Sequence, residues 1–397
     1  MGYELRNTIL YLAFENNIMT PKEKYHLFRT NKKFCVAPWT SFQVYADGRV
    51  ATCSIGKETL GNVNDKSVSQ ILSNNPIVKR IKTNMLNNVA DTNCTICDRR
   101  SIDEDGFEYY RDHLNKMIED KDIDYNDIDN FDLRSIDLHW SNICNLRCVM
   151  CRPSQSSLIA KDEGVTITPV TKDTISKITE MIVKNQYKIR EIYLSGGEPF
   201  YIPQNVELLK KLSNKDVPIR INTNMHWNEN NRLFKILKTF NNVNLTMSVD
   251  ALHEKFNYIR NGAEWEVFIK NFQYIKKNTN FDIRINTIFS VMNADDLCAN
   301  IKYFYQEQNI KNITINVLYR PKELSARNYP LQKKQLIIDQ IEKLMTQIAP
   351  EDVNLIGNLK NCITQIKSDN QHDYKDALDR VTKKNKKPWQ TVLTDLV

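Results

Sequence analysis

The chain of 397 residues is 41% hydrophobic and 26% charged, with a formal net charge of +7 at pH 7. This is enough apolar surface for a soluble globular protein with a large core, divided over two or three structural units. The modest positive surplus suits an anionic partner but falls short of a basic nucleic-acid tail, and nine cysteines are too few for a disulfide scaffold.

In chain order, the opening stretch MGYELRNTILYLAFENN has an apolar run too short for a bilayer and no small-residue cleavage site. Arg6 stands where a myristoylation signal wants Ser or Thr. The expectation is a cytoplasmic protein with no membrane partner. Next, FQVYADGRVATC alternates on both sides of Asp47-Gly48, a hairpin signal that brings Cys35 and Cys53 towards one another across two paired strands. Cys94 and Cys97 follow in CTIC, separated by two residues. Four thiolates fill either a zinc ion or a four-iron cluster, and the residues alone leave both open. The helical stretch YYRDHLNKMI and the acidic, Asn-containing connector KDIDYNDIDN end this segment.

From about residue 130 short β-branched or apolar runs alternate with helical patterns. The predicted strands are 135–139, 189–195, 217–223, 243–249, 282–291 and 312–318. Helices between them are marked by Ile175, Ile178, Met181 and Ile182, by Val206, Leu209 and Leu212, by Leu233, Ile236 and Leu237, by Phe268, Phe272 and Ile275, and by Phe304 with its neighbours. Such alternation implies βαβ units and a parallel sheet, open or curled into a partial barrel, with chemistry at the carboxyl ends of the strands. Beyond about residue 320 the helical patterns KKQLIIDQIEKLMTQI and DYKDALDRV return, packing on the barrel. The expected domains are 1–125, 126–325 and 326–397.

Cys144, Cys148 and Cys151 follow directly on the first of these strands, at spacings x3 and x2. A cube of four irons held by three thiolates keeps one iron open to substrate or cofactor. The alternative is a structural zinc knuckle completed by a distant His or Cys. No histidine is assigned to a metal; only His139 lies close in sequence. Cys298 and Cys362 are expected as buried small hydrophobes.

The pattern C-x3-C-x2-C on the loop after the first strand resembles the signature of the radical S-adenosylmethionine superfamily, with Met150 in place of the aromatic residue often found before the last cysteine. LSGGEP, with Gly196, Gly197, Glu198 and Pro199, resembles the family's glycine-rich turn, where residues without side chains let backbone approach a ligand and the carboxylate accepts from an ammonium. Asn224 resembles the family's polar contact to the nucleoside, and Ser248 and Arg260 resemble the residues that bind ribose and carboxylate. The segment FCVAPWTSFQVYADGRVATCSIG, with LGNV and CTICDRRSIDEDGFEYYRDHLN, looks like the auxiliary-cluster module of the SPASM and twitch subgroup, here preceding the barrel where much of the subgroup places it after.

The resemblance implies an α/β fold: a partial (β/α)6 TIM-like barrel of parallel strands, with an N-terminal auxiliary iron–sulfur cluster domain and a helical C-terminal tail. It implies a 4Fe-4S cluster on Cys144, Cys148 and Cys151 and an auxiliary 4Fe-4S cluster on Cys35, Cys53, Cys94 and Cys97. S-adenosylmethionine would lie against Met150, the Gly196–Pro199 turn, Asn224, Ser248 and Arg260. The implied activity is reductive cleavage of S-adenosylmethionine to a 5′-deoxyadenosyl radical that abstracts a hydrogen atom from a peptide or sugar-type substrate. Flavodoxin or ferredoxin is the implied reductant. The rival readings are an RNA-modifying enzyme of the same kind, although no RNA-binding module is recognisable and nucleic acid is not an expected partner, and a non-enzymatic zinc protein.

Overall fold

The computed structural model describes residues 33–100, 110–118, 123–368, 372–385 and 387–396. The opening stretch read for membrane and lipid signals, Arg6 included, lies outside them. Among the described residues no helix is long and apolar enough to cross a membrane. They form two compact units: one holds the described residues up to Asp137 together with Val170–Glu191, the other Leu138–Pro169 and the described residues from Ile192 onwards.

In the first unit β1 (Ser41–Val44) and β2 (Arg49–Ala51) pair antiparallel with Gln43 opposite Ala51, and β3 (Gly61–Asn62) adds beside β2. Gly48 turns the hairpin at φ +83°, a left-handed conformation that favours glycine. The alternation expected of β1 is absent: all four of its residues are buried. The helix Pro76–Leu86 is capped by Asn75, whose side chain accepts from Ile77 N–H. It presents Ile81 and Met85 to a core shared with Phe34, Trp39, Leu114 and Tyr125. Tyr125 meets both Phe34 and Trp39 edge-on, with centroids 5.4 and 5.7 Å apart. Cys35 lies in this apolar cluster. The helix Lys172–Asn185 belongs to the same unit because Thr171 N–H donates to Asn64 Oδ1 at 3.0 Å and Thr174 Oγ1 to the Val63 carbonyl.

After β4 (Ser135–Leu138), the second unit is built on β5 (Glu191–Leu194), β6 (Ile219–Thr223), β7 (Val243–Ser248), β8 (Asp282–Phe289) and β9 (Ile313–Val317). From β5 to β9 each strand pairs parallel with the next. The five lie within the expected ranges, one to three residues shorter in all. The strands between β6 and β9 alternate in burial rather than being buried throughout. The register aligns Arg220, Asn244 and Asp282, then Asn222, Thr246 and Arg284, then Ser248, Asn286 and Thr314, so one face of the sheet is polar. The other carries Ile221, Leu245, Ile285 and Ile315, all buried. Beyond β9 the helices Leu331–Met345 and Val353–Lys367 pack in the same unit. Asn358 Oδ1, on the latter, accepts from Ile315 N–H at 3.2 Å, satisfying a donor on the last strand. Sequence reading had no strand at β3 and no helix at Val353–Lys367. Cys362 is buried as expected, whereas Cys298 is only partly so.

Candidate active site

The loop carrying Cys144, Cys148 and Cys151 is first closed on itself. Ser156 Oγ donates to the Leu146 carbonyl at 3.0 Å, Ser157 N–H to the Asn142 carbonyl at 2.7 Å, and Asn142 Nδ2 to the Pro153 carbonyl at 2.9 Å. Cys144 N–H donates to Ser157 Oγ, while its sulfur accepts from Leu146 N–H at 3.5 Å.

Two strand ends and the C-terminal end of the helix His253–Ile259 then hold the loop from outside. The turn after β5 presses on it closely: Glu198 N–H donates to the Ile143 carbonyl at 2.7 Å and Gly197 N–H to the Ser141 carbonyl at 3.3 Å. A Cβ on Gly197 would lie 2.0 Å from the Ile143 oxygen, and one on Gly196 (φ +109°) 2.6 Å from the Ser141 oxygen. Both glycines therefore serve the approach of one piece of backbone to another. At the end of β6, Asn224 Nδ2 donates to Asn145 Oδ1, and Asn145 Nδ2 to the His226 carbonyl. Beyond β7, Arg147 N–H donates to the Asn261 carbonyl and Val149 N–H to that of Ile259, both at 2.8 Å. Cys148 lies between these bonds on one segment and Arg260 on the other.

Glu198, 1% exposed, takes three donors from the protein. Its Oε1 accepts from Thr223 Oγ1 (2.8 Å) and Phe200 N–H (3.3 Å), and its Oε2 from Asn224 N–H (2.7 Å). Burial pushes the carboxyl up to about 7, against the pull of these bonds and of Arg260. The carboxylate expected to face a ligand ammonium thus binds the β5 turn to the end of β6. Arg260, 6% exposed, has Nη2 2.9 Å from Oδ2 of the buried Asp250, whose Oδ1 accepts from Ile288 N–H. Arg260 Nε is buried with no hydrogen-bond partner in the protein. Met150 is buried, and Ser248 is half-buried at the carboxyl end of β7 on its polar face.

Burial raises all three thiols, Cys144 and Cys151 to about 12. The Arg260 guanidinium opposes this at Cys148 and Cys151, while Cys148 raises Cys144 and both of these raise Cys151. Three mutually interacting soft donors on a fixed loop, beside a buried guanidinium nitrogen without a partner, fit an iron–sulfur cluster with an anionic ligand at its side. Among the described residues no group of three or more His, Cys, Asp or Glu side chains forms a site for a metal ion.

In the first unit Cys35, Cys53, Cys94 and Cys97 line one pocket together with Arg111, Tyr110 and Asn93. Burial pushes Cys53 up to about 11 and Cys94 to about 12, and the four sulfurs are electrostatically coupled. Four thiols around one cavity fit the fully ligated cluster expected of them. Sequence reading missed Asn145, Asp250 as partner of Arg260, and Arg111. The last had a signal: Arg111, Leu114, Asn115 and Ile118 share a helix face at i, i+3, i+4 and i+7, which puts an arginine where an apolar residue belongs.

Residues 138–293 match the family described as the radical SAM superfamily, and residues 35–98 an iron–sulfur cluster-binding domain, SPASM. Among curated proteins, the GTP 3′,8-cyclase of Listeria welshimeri serovar 6b is 31% identical over 128 residues, which are 30% of this chain and 34% of that protein. That of Listeria monocytogenes serovar 1/2a is also 31% identical over 128 residues. The chain thus spans about a third of the length of these relatives. Among solved structures, anSMEcpe with bound AdoMet aligns at TM-score 0.40 and 18% identity, over 55% of this chain and 61% of that one. SuiB of Streptococcus suis bound to precursor peptide SuiA aligns at TM-score 0.41 and 15% identity, over 77% and 68%.

Proposed function

We propose that this chain, which belongs to the radical SAM superfamily and carries a SPASM iron–sulfur cluster-binding domain ahead of its radical SAM domain, reductively cleaves S-adenosylmethionine and takes a hydrogen atom from a polar substrate of peptide or sugar type. The observation that carries this reading is the fixing of one three-cysteine loop by the carboxyl ends of separate parallel strands, where α/β folds place their chemistry.

Cys144, Cys148 and Cys151 hold the cluster, and Arg260 receives the methionine carboxylate through nitrogens not committed to Asp250. The Gly196–Pro199 turn meets the ammonium, with Glu198 keeping an acceptor position beyond the three donors it takes from the protein. Asn224 and Ser248 contact the nucleoside and Met150 packs against its base. When bound, the cluster and S-adenosylmethionine supply a one-electron cleavage of the sulfonium and a 5′-deoxyadenosyl radical. The chain itself orients the ligand and excludes water. Cys35, Cys53, Cys94 and Cys97 hold the auxiliary cluster. The row of Asn, Thr, Ser and Arg on one face of β6 to β9 supports a substrate rich in hydrogen-bonding groups. A flavodoxin or ferredoxin in the cytoplasm serves as reductant.

The test is anaerobic reconstitution with iron and sulfide. The wild type should bind about eight irons, and a Cys144→Ala, Cys148→Ala, Cys151→Ala variant about four. With dithionite and S-adenosylmethionine only the wild type should release 5′-deoxyadenosine. Colourless, zinc-loaded protein that stays inert after reconstitution overturns the reading.

A further inference from the structure

The helix Tyr110–Met117 brings one charged side chain into the cavity that the four N-terminal cysteines line. Arg111 is 5% exposed. Its backbone N–H is hydrogen-bonded to the Cys97 sulfur, and its guanidinium acts electrostatically on Cys35, Cys94 and Cys97. Nη2 lies 2.8 Å from Asp98 Oδ1, so the residue next to Cys97 carries its counter-charge. Lys33 Nζ shares the same oxygen at 3.5 Å. Two cations face that carboxylate, while Asp112 acts on Cys97 and Asp91 on Cys94 with the opposite sign.

We infer that Arg111 sets the reduction potential of the auxiliary cluster, stabilising its reduced form through a guanidinium held in the cluster cavity by Asp98. The inference rests on the reading of Cys35, Cys53, Cys94 and Cys97 as ligands of that cluster. Four thiolates on a 4Fe-4S core leave a net charge of about −2 when oxidised and −3 after one electron enters, with no proton taken up. A buried cation is attracted more strongly to the second state than to the first, because a low dielectric magnifies the difference. Net charge and hydrogen bonds to sulfur are the terms by which a protein moves such a potential, and Arg111 supplies both. Only its side-chain charge is open to substitution, since the N–H bond to Cys97 comes from the backbone. Arg111 is therefore a positioning and tuning residue, with no contact to substrate required of it.

The test uses the full chain with Cys144, Cys148 and Cys151 replaced by Ala, so that a single cluster remains. It is titrated with dithionite and redox mediators and followed by electron paramagnetic resonance. Arg111→Gln should lower the midpoint potential by at least tenfold in the reduction equilibrium, about 59 mV for one electron. Arg111→Lys should restore most of it. Asp98→Asn, which removes the counter-charge, should move it in the opposite direction, which loosened packing would not do. If Arg111→Gln fails to assemble a cluster, the Asp98→Asn shift decides. A triple variant holding about four irons, whose potential moves with neither substitution, overturns the inference alone. A triple variant that binds no iron overturns the assignment of the cluster and the inference with it.

Discussion

Asn224 donates from Nδ2 to Asn145 Oδ1 at 2.8 Å, fastening the residue next to Cys144 to the carboxyl end of β6. The tie is reciprocal: Asn145 Nδ2 reaches the His226 carbonyl at 3.1 Å, and Asn224 Oδ1 accepts from His226 N–H at 2.9 Å. Removing one amide strands its partner, and a stranded, partly buried polar group costs about 1–3 kcal/mol. Asn224→Ala should lose about that much stability in urea while the reconstituted protein keeps its iron. Release of 5′-deoxyadenosine should fall because the loop is misplaced. Wild-type stability in this variant would show that the tie holds nothing.

The glycines of the β5 turn make a sharper demand. A Cβ at Gly197 meets the Ile143 carbonyl oxygen at 2.0 Å, and that atom is backbone, unable to rotate aside as a side chain can. It is also the acceptor for Glu198 N–H, so moving it breaks the bond that joins turn and loop. Overpacking of this kind costs about 1–3 kcal/mol. Gly197→Ala should lower the melting temperature and reduce the iron bound at the three-cysteine site, with the N-terminal site filled normally. Full iron content at a lowered melting temperature would separate the turn from cluster assembly.

A pH dependence follows from Lys82, 1% exposed on the helix Pro76–Leu86. Its Nζ donates to the carbonyls of Asn130 (2.6 Å) and Ile128 (3.0 Å), anchoring the segment after Tyr125. Burial lowers its pKa from 10.5 to about 8, with Asp127 and Asp129 opposing. Between these values the unfolded chain holds a proton that the folded protein has released. The cost of burying the ammonium is therefore complete below pH 8 and fades as pH rises towards 10.5. Across that window wild-type stability should rise relative to Lys82→Met by about 1–3 kcal/mol. Urea unfolding at pH 8, 9 and 10.5 measures the difference; parallel curves would mean that Lys82 stays charged in the folded state throughout.

Residues such as Ile219 to Thr223 announced β6 because β-branched side chains bounded by turn formers leave few alternatives. The cysteine loop, Asn224 and Arg260 were legible as types at positions. Their partners were not: Asn145 meets Asn224 across 79 residues, and Thr171 meets Asn64 across 107. The same distance in sequence hid the part played by Gly197. Two glycines in a turn signal close approach, but only the fold shows that the approaching atom belongs to residue 143 and is not a ligand atom. Glu198 was legible as an acceptor, but two of the three donors that occupy it lie 25 and 26 residues on, at Thr223 and Asn224.

Arg260 and Asp250 form an ion pair whose carboxylate is 0% exposed, and its Nη2–Oδ2 separation is 2.9 Å. Breaking a buried pair by neutralising one member leaves an uncompensated charge and costs about 3–5 kcal/mol. Asp250→Asn should destabilise the ligand-free protein by that order, since Arg260 keeps its charge in the same enclosure. If Arg260 receives the carboxylate of S-adenosylmethionine, the cofactor brings the missing negative charge to the variant. Saturating S-adenosylmethionine should then raise the melting temperature of reconstituted Asp250→Asn more than that of the wild type, whose guanidinium is already half-neutralised. S-adenosylmethioninamide, which lacks the carboxylate, should give the variant no such advantage. An equal rise in both proteins would remove Arg260 from the carboxylate site while leaving its role beside Cys148 intact.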